Sequence, residues 1–552
     1  MTKSVTQSHT GASSLGRIIL KMVLTLTTGL LLTLVCVSMA WATTFTVTNT
    51  DDSGPGSLRA AIEAANANAG DDEIVFADGV SGTITLASVL PPITDEAELA
   101  INGGGDVTVS GNHEVGVFEV RSSSIEATTK LTLRNLTIAD GAGAVTTVGR
   151  QGGGINNDGT LEVVNVTFSG NQAESGGGID NGLFSKLKVT NSTFSGNSAG
   201  DGGGGGIYNG SIYDFTVTNS TFSNNSASFG GGGIYNSGGG TSDAPTTATV
   251  TNSTFSGNSA VGGGGIYNRS GPLEVTNNTF SNNSASNSGG GIYHVSTVDM
   301  VKVTNSTFSG NSADEGSGIY NNGSPTRVTL SNTILANSPS GGNCLGFPVT
   351  DGGYNIDSGT SCGFTAASGS LSNTNPLLDP AGLQDNGGRT QTIALQPDSP
   401  AVDLVGQGAC PPPTTDQRGI ERPQGAACDS GAFELAQDTT PPTVITTVPK
   451  ANANEVAPTA NVRATFSEDM QPASVKNAFK LFKKGSTTQI AAQVSYDAAT
   501  DKATLNPNNN LQRDVTYRAV VTTVAKDVAG NRLDQDDSTT GSQQKVWYFT
   551  VD

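Results

Sequence analysis

Short runs of alternating apolar and polar residues fill the middle of this chain, and they recur. Between Gly206 and Asn225, Ile207-Tyr208 closes on Asn209, Phe215-Thr216-Val217 leads to Asn219, and Thr221-Phe222-Ser223 leads to Asn225. Alternation with period two marks a strand with one buried face. Asn tolerates the left-handed backbone conformation that a sharp bend needs. Each unit therefore predicts three short strands with an Asn at or near each of three corners. The apolar landmark returns at Ile138, Phe168, Phe194, Phe222, Phe255, Phe280, Phe308 and Ile334, at intervals of 25 to 33 residues. Strands of fixed length joined by loops of variable length explain that scatter, and a rigid helical repeat does not.

The columns implied by this repeat are explicit. One apolar column is Ile155, Ile179, Ile207, Ile234, Ile266, Ile292 and Ile319, and the phenylalanines form another. A coil cannot bury its apolar face alone, but stacked neighbours cover it. One asparagine column runs through Asn135, Asn165, Asn191, Asn219, Asn252, Asn277 and Asn305. A second is Asn171, Asn197, Asn225, Asn258, Asn283, Asn311 and Asn337. A third is Asn157, Asn181, Asn209, Asn236, Asn268 and Asn321, with His294 in the place of one amide. Amides stacked in register can bond along the stack, so these read as structural corner ladders. Many also stand in Asn-x-Ser/Thr, the glycosylation signal, but recurrence at corners favours the structural role. The glycine runs 202–206, 230–233 and 262–265 lack the strand–helix context of a phosphate loop and read as tight turns between coils.

The fold class that follows is all-β, a stack of coils of parallel strands. Gly-Gly-x-Ile paired with Phe-x-x-Asn resembles the repeat of the polymorphic outer-membrane proteins. More broadly it is similar to right-handed parallel β-helix proteins of the pectate-lyase-like kind. The resemblance covers about 130–340 and implies a fold, not an activity.

The flanks read differently. Residues 1–42 are expected to be a signal peptide: Arg17 and Lys21 precede the apolar run 22–37, and Ala40-Trp41-Ala42 fits a cleavage site. The β-helix is expected over 43–435, opening with a helical cap within 43–72. There Ser57 can cap a helix whose Leu58, Ala61, Ile62 and Ala65 share one face, covering the open edge of the first coil. Asp51 to Ile62 resembles the opening of many exported bacterial β-helices. From about 370 to 435, Asn386-Gly387-Gly388-Arg389, Asp416-Gln417-Arg418-Gly419 and Cys428-Asp429-Ser430-Gly431-Ala432-Phe433-Glu434 resemble the "choice-of-anchor Q" domain. A linker, 436–442, precedes evenly spaced strands over 443–552 that predict a β-sandwich. Phe466-Ser467-Glu468-Asp469-Met470 and Asp527-Val528-Ala529-Gly530-Asn531 resemble the bacterial Ig-like domain of surface-layer proteins, and Tyr517 is placed like a tyrosine corner.

Charge narrows the partners. The formal net charge is −20, and loss of Lys3, Arg17 and Lys21 with the leader makes it −23. That balance argues against nucleic acid and anionic membrane surfaces, and no stable membrane span is expected after cleavage. Beyond Cys36 in the leader, the cysteines are Cys344, Cys362, Cys410 and Cys428. An exported setting predicts two disulfides, and locality favours 344–362 with 410–428. A zinc site fails on spacing, with no CxxC and no nearby His.

Candidate chemistry is sparse. Between 150 and 343 there are six Lys/Arg and eleven Asp/Glu, with no recurring cluster. His113 and His294 stand alone, without a nucleophile elbow. No cofactor is implied, although Asp51-Asp52 and Asp71-Asp72 are candidate Ca²⁺ ligands. The best binding candidate is Tyr208, Tyr235, Tyr267, Tyr293 and Tyr320, whose rings alternation turns away from the buried isoleucines. Exposed, they can stack on sugar rings; otherwise they stack on one another and cover the sheet. The sequence reading is a secreted or cell-surface, non-enzymatic scaffold, adhesin-like, for extracellular polysaccharide or a surface protein. The alternative is a polysaccharide lyase or glycoside hydrolase of the parallel β-helix type.

Overall fold

The computed structural model describes residues 42–552 apart from 123–127, 147–148, 240–245, 407, 437 and 537. The expected leader lies outside the described residues, except for Ala42. The chain forms two compact units. One comprises the residues up to Ala394 with Ala409–Glu421 and Asp429–Phe433; the other comprises Leu395–Gly408, Arg422–Cys428 and Glu434–Asp552.

The first unit is a solenoid of parallel strands. Its coils stack in register, Phe168 on Phe194, Phe194 on Phe222 and so on to Phe308. The rings form one buried column, with centroids 4.5 to 4.8 Å apart and nearly parallel planes. The column continues in Leu335 and not Ile334, because Phe308 pairs with Leu335 and Ile334 with Thr307. A second face stacks Val163, Val189, Val217, Val250, Val275, Val303 and Leu330. A third, of nine strands, carries the isoleucines. Each coil also has a fourth short segment, seen at Ser198–Gly203, Ser226–Ala227 and Ser259–Gly262, in a sheet of seven strands. Alternation did not reveal it, because its small residues carry no apolar signal.

The asparagines take two roles. Asn135, Asn165, Asn191, Asn219, Asn252, Asn277 and Asn305 all stand at φ between 49° and 55°. They turn the corner through the left-handed region that Asn tolerates. The other two columns are buried amide ladders. Asn171 donates to Asn197, and the chain continues through Asn225, Asn258 and Asn283 to Asn311, at 2.8 to 2.9 Å. Asn337 is exposed and leaves that ladder, bonding Ser309 instead. In the third column Asn157, Asn181, Asn209 and Asn236 each donate to the next amide at 2.7 Å. Asn268 then meets Nδ1 of His294 at 3.2 Å.

Helix α1, Leu58–Ala67, closes the first coils. Ser57 caps it, its hydroxyl accepting from Ala60 N at 3.2 Å. Leu58, Ala61, Ile62 and Ala65 join the solenoid core. Arg59 ties the cap down through Asp52 at 2.6 Å and the carbonyls of Ser88 and Val89. At the far end a disulfide joins Cys344 and Cys362, both buried; Cys410 and Cys428 are also disulfide-bonded.

One feature has no counterpart in the sequence reading. Segments around 390, 415 and 431 return along the outside of the phenylalanine face. Thr254 Oγ1 donates to Gln391 O at 2.6 Å, and Asn277 Nδ2 to Thr415 O at 2.8 Å. Gln417 accepts from Thr279 Oγ1 at 2.7 Å, and its Nε2 donates to Thr254 Oγ1 at 2.8 Å. Gly431 N reaches Asn332 O, and Ala432 N reaches Thr307 Oγ1. Thr254, Thr279 and Thr307 are buried, whereas Thr193 and Thr221, equivalent on earlier coils, are half-exposed.

The second unit contains two four-stranded sheets. One joins Val444–Val448, Val462–Phe466, Lys502–Pro507 and Ala492–Asp497; the other joins Ala453–Val456, Lys545–Val551, Val515–Val521 and Phe479–Lys483. A short helix, Pro472–Ala478, stands between strands. Tyr517 is buried, and its hydroxyl accepts from Gln512 N at 2.7 Å.

Candidate functional site on the tyrosine face

Ile207-Tyr208-Asn209 and its equivalents pair rung on rung. Ile and Asn face inward, so each tyrosine points away from the core. The outward direction does not leave every ring open. Tyr235 and Tyr267 are buried at 3% and 9% exposure, while Tyr208, Tyr293 and Tyr320 are half-buried. The rings of Tyr208, Tyr235 and Tyr267 stack with centroids 5.3 and 4.9 Å apart. Tyr293 turns edge-on to Tyr267 at 86°, and Tyr320 tilts by 56° from Tyr293. Phe229 leans over Tyr235 and Tyr267 at 6.3 and 5.9 Å. Of the two alternatives, the centre of the column follows the one in which rings stack on one another and cover the sheet, and a loop phenylalanine covers both buried rings.

The glycine runs make this packing fit. Gly204, Gly231 and Gly263 have φ between 64° and 74°, as a turn role requires. Gly230 and Gly262 do something else. A Cβ at Gly230 would lie 2.9 Å from the Tyr267 ring, and one at Gly262 would lie 2.6 Å from Tyr293. The backbone lies against the tyrosine rings, and only a residue without Cβ allows that approach.

Burial sets the acidity of these phenols. It pushes Tyr267 up to about 12, with Tyr235 and Tyr293 adding to the effect. Tyr208 is raised by burial, and Tyr320 by burial and then by Glu315. Tyr208, Tyr267 and Tyr320 therefore stay neutral at physiological pH, which suits stacking and hydrogen bonding.

The same column is acidic at its other end. Glu119, Asn156, Asp180 and Tyr208 occupy successive rungs. Asp180 is buried and hydrogen-bonded to the Ser175 hydroxyl. Burial pushes its carboxyl up to about 7; Ser175 opposes that shift and Asp158 adds to it. Asp158 is itself raised by lost solvation and then by Glu119, with Arg121 opposing. Arg121 pairs with Glu119 at 2.6 Å. Asp158 and Asp180, with Glu119 from before the stretch in which no recurring cluster was expected, thus share one end of the tyrosine face. A sequence signal existed, since Asp180 fills a tyrosine slot, but Glu119 and Asp158 lie outside any recurring motif.

Other singled-out acids lie elsewhere. Asp52 is engaged by Arg59, and Asp71 accepts from Glu98 N at 3.0 Å. Asp72 is buried. In the second unit Asp438, Glu468 and Asp527 bring one oxygen each within 4.8 Å of the others. Burial, then the hydrogen bond and charge of Asp438, push Glu468 up to about 7. Asn531 binds Asp527 through N and Nδ2 and the Asp438 carbonyl through Nδ2, so the predicted linker is fastened to this loop. Among the described residues no helix is long and apolar enough to cross a membrane.

Comparison with known proteins agrees with this architecture. Residues 99–280 match the right-handed beta helix region, 279–294 the Chlamydia polymorphic membrane protein repeat, and 438–551 the bacterial Ig-like domain. The fold is that of a parallel β-helix followed by an Ig-like domain. No curated protein matches. Among solved structures, the surface-layer protein SbsC is similar at 19% identity, with a TM-score of 0.16, over 20% of this chain and 14% of that one. PcoC, a methionine-rich copper resistance protein from Escherichia coli, is similar at 24% identity, with a TM-score of 0.15, over 20% of this chain and 100% of that one. This chain thus spans about one seventh of the SbsC structure.

Proposed function

We propose that this protein is an exported surface or matrix scaffold whose β-helix presents the tyrosine face to an extracellular polysaccharide or to another surface protein. The observation that carries this reading is the aromatic column itself. Tyr208, Tyr293 and Tyr320 keep part of each ring open, on rungs held in register by the buried ladders. Aromatic faces pack on the apolar faces of sugars, and a rigid sheet removes the ordering cost of such a platform. The polymorphic membrane protein repeat and the Ig-like domain are of surface type and support the location. The disulfides fit an oxidising compartment.

A glycan array tests it. The variant Tyr208→Ala/Tyr293→Ala/Tyr320→Ala should lose retention at least tenfold with an unchanged far-ultraviolet circular dichroism spectrum. Tyr235 and Tyr267 are left intact because they are buried structural rings. Wild-type retention by the triple variant would remove the tyrosine face from the account.

One observation favours the second reading, a polysaccharide-cleaving enzyme. Burial pushes Asp180 up to about 7 beside Asp158, which is also raised, and a carboxyl that keeps its proton near neutrality is what a general acid needs. Under that reading Asp180→Asn abolishes release of reducing or unsaturated sugar ends. Under the scaffold reading there is no release to abolish.

A further inference from the structure

The centre of the tyrosine face carries a cation. Arg269 directly follows Asn268 on the Tyr267 rung, and its backbone N–H donates to Asn236 O at 2.8 Å. Its side chain is exposed, yet it reaches back along the column. The guanidinium donates to the Tyr235 hydroxyl and interacts with the phenols of Tyr267 and Tyr208. Tyr235 is buried, so one edge of the guanidinium is held by a rigid partner. A guanidinium has five N–H donors, and one phenol cannot occupy them. Among the described residues no carboxylate pairs with Arg269, in a chain of 48 acidic and 28 basic residues.

The two flanks of the face differ. The hydroxyl ends of Tyr208, Tyr235 and Tyr293 turn to the flank of Arg269: Tyr208 bonds Ser237, and Tyr293 accepts from Asn322 Nδ2 at 3.2 Å. The opposite flank is apolar, with Phe229 and Val261 at 45% and 41% exposure. Rings and apolar side chains thus lie beside a polar rail that contains Arg269. The acids of the column stand at its ends, Asp180 on the rung before Tyr208 and Glu315 beside Tyr320. The part-open rings of Tyr208 and Tyr293 are three rungs apart, about 14 Å at the spacing of neighbouring strands. Arg269 lies between them.

We propose that Arg269 sets the specificity of the tyrosine face for anionic polysaccharide: a chain stacked on Tyr208 and Tyr293 lays a carboxylate or a sulfate ester against the open edge of the guanidinium. This rests on the saccharide reading of the face and adds the charge of the ligand to it. The planar fork of Arg matches the paired oxygens of such groups and gains a charge-assisted hydrogen bond from them. A neutral sugar stacks on the same rings but leaves that contact unmade. The net charge of −20 repels polyanions at long range, so their retention requires a specific contact.

Matched probes beside the glycan array test the proposal: dextran sulfate against dextran, and alginate against its methyl ester, each offered to the immobilised full chain. Expected is retention of dextran sulfate, alginate or both at least tenfold above the uncharged partner polymer. Arg269→Gln removes that margin. Lys302→Gln, which deletes an exposed cation on a different sheet, keeps it; thermal unfolding confirms that both variants fold. Dextran sulfate alone identifies a sulfate ester as the recognised group, and alginate alone a carboxylate. Retention confined to uncharged glycans, or equal for charged and uncharged ones, and lost in Tyr208→Ala/Tyr293→Ala/Tyr320→Ala, overturns the inference and leaves the saccharide reading standing. A charge preference that survives Arg269→Gln, or that Lys302→Gln removes equally, also overturns it. Retention of no glycan, or retention indifferent to the tyrosine variant, removes the saccharide reading and the inference with it.

Discussion

Phe255 is fully buried between Phe222 and Phe280, each ring 4.8 Å away. Phe255→Ala leaves a cavity in a stack that cannot collapse, since register fixes its neighbours. The expected cost is about 3–5 kcal/mol by denaturant unfolding. His294 is the opposite case, a residue that interrupts its column. Its Nδ1 meets Asn268, while Nε2 is buried without a partner among the described residues. Burial lowers its pKa below 6.5, partly offset by hydrogen bonding and charge from Asp299. The folded state therefore holds His294 neutral. That contribution is present above about pH 6.5 and is lost as pH falls through the lower folded value. Chemical unfolding between pH 7.5 and 5 should show wild type losing more stability than His294→Asn, which restores the amide. Parallel pH profiles would refute this.

At the scale of elements, the glycine runs and the returning segment carry the least expected structure. A Cβ at Gly262 would meet the Tyr293 ring at 2.6 Å. Gly262→Ala should cost about 1–3 kcal/mol as the ring is displaced, read by denaturant unfolding. Gln417 is buried and bonds Thr254, Thr279 and Thr390. Gln417→Ala strands the Thr279 hydroxyl and removes the amide donor to Thr254 and Thr390, at about 1–3 kcal/mol, and should speed hydrogen exchange around 252–281 but not around 190–223. These elements also mark the limit of what sequence revealed. The isoleucine and phenylalanine columns were legible because each coil repeats them. The α1 face and the Ser57 cap were legible because helix spacing and capping are local. The returning segment was not, since its bonds span 137 and 163 residues and repeat nothing. The covering of Tyr235 and Tyr267 was hidden for a related reason. It depends on Phe229, a loop residue that occurs once, and on glycine backbones that pattern reading treats as turns.

The whole molecule joins a solenoid held by ladders to an Ig-like unit of ordinary core packing. With Cys344, Cys362, Cys410 and Cys428 all bridged, the denatured, unreduced chain from residue 43 onward should titrate no free thiol; two or more would contradict the bridges. The carboxylates at one end of the tyrosine column and the half-buried rings of Tyr208, Tyr293 and Tyr320 are the groups on which the two proposed readings rest. They separate the two readings cleanly, because stacking requires the rings and bond cleavage requires the acids. The most direct measurement takes a polysaccharide retained by the protein and follows it over prolonged incubation, by reducing-end assay and by the ultraviolet absorbance of unsaturated product. The account predicts that the polymer is recovered at its original length, with retention dependent on Tyr208, Tyr293 and Tyr320 and unaffected by Asp180→Asn. Accumulation of cleaved ends that stops in Asp180→Asn would contradict it and make this protein an enzyme.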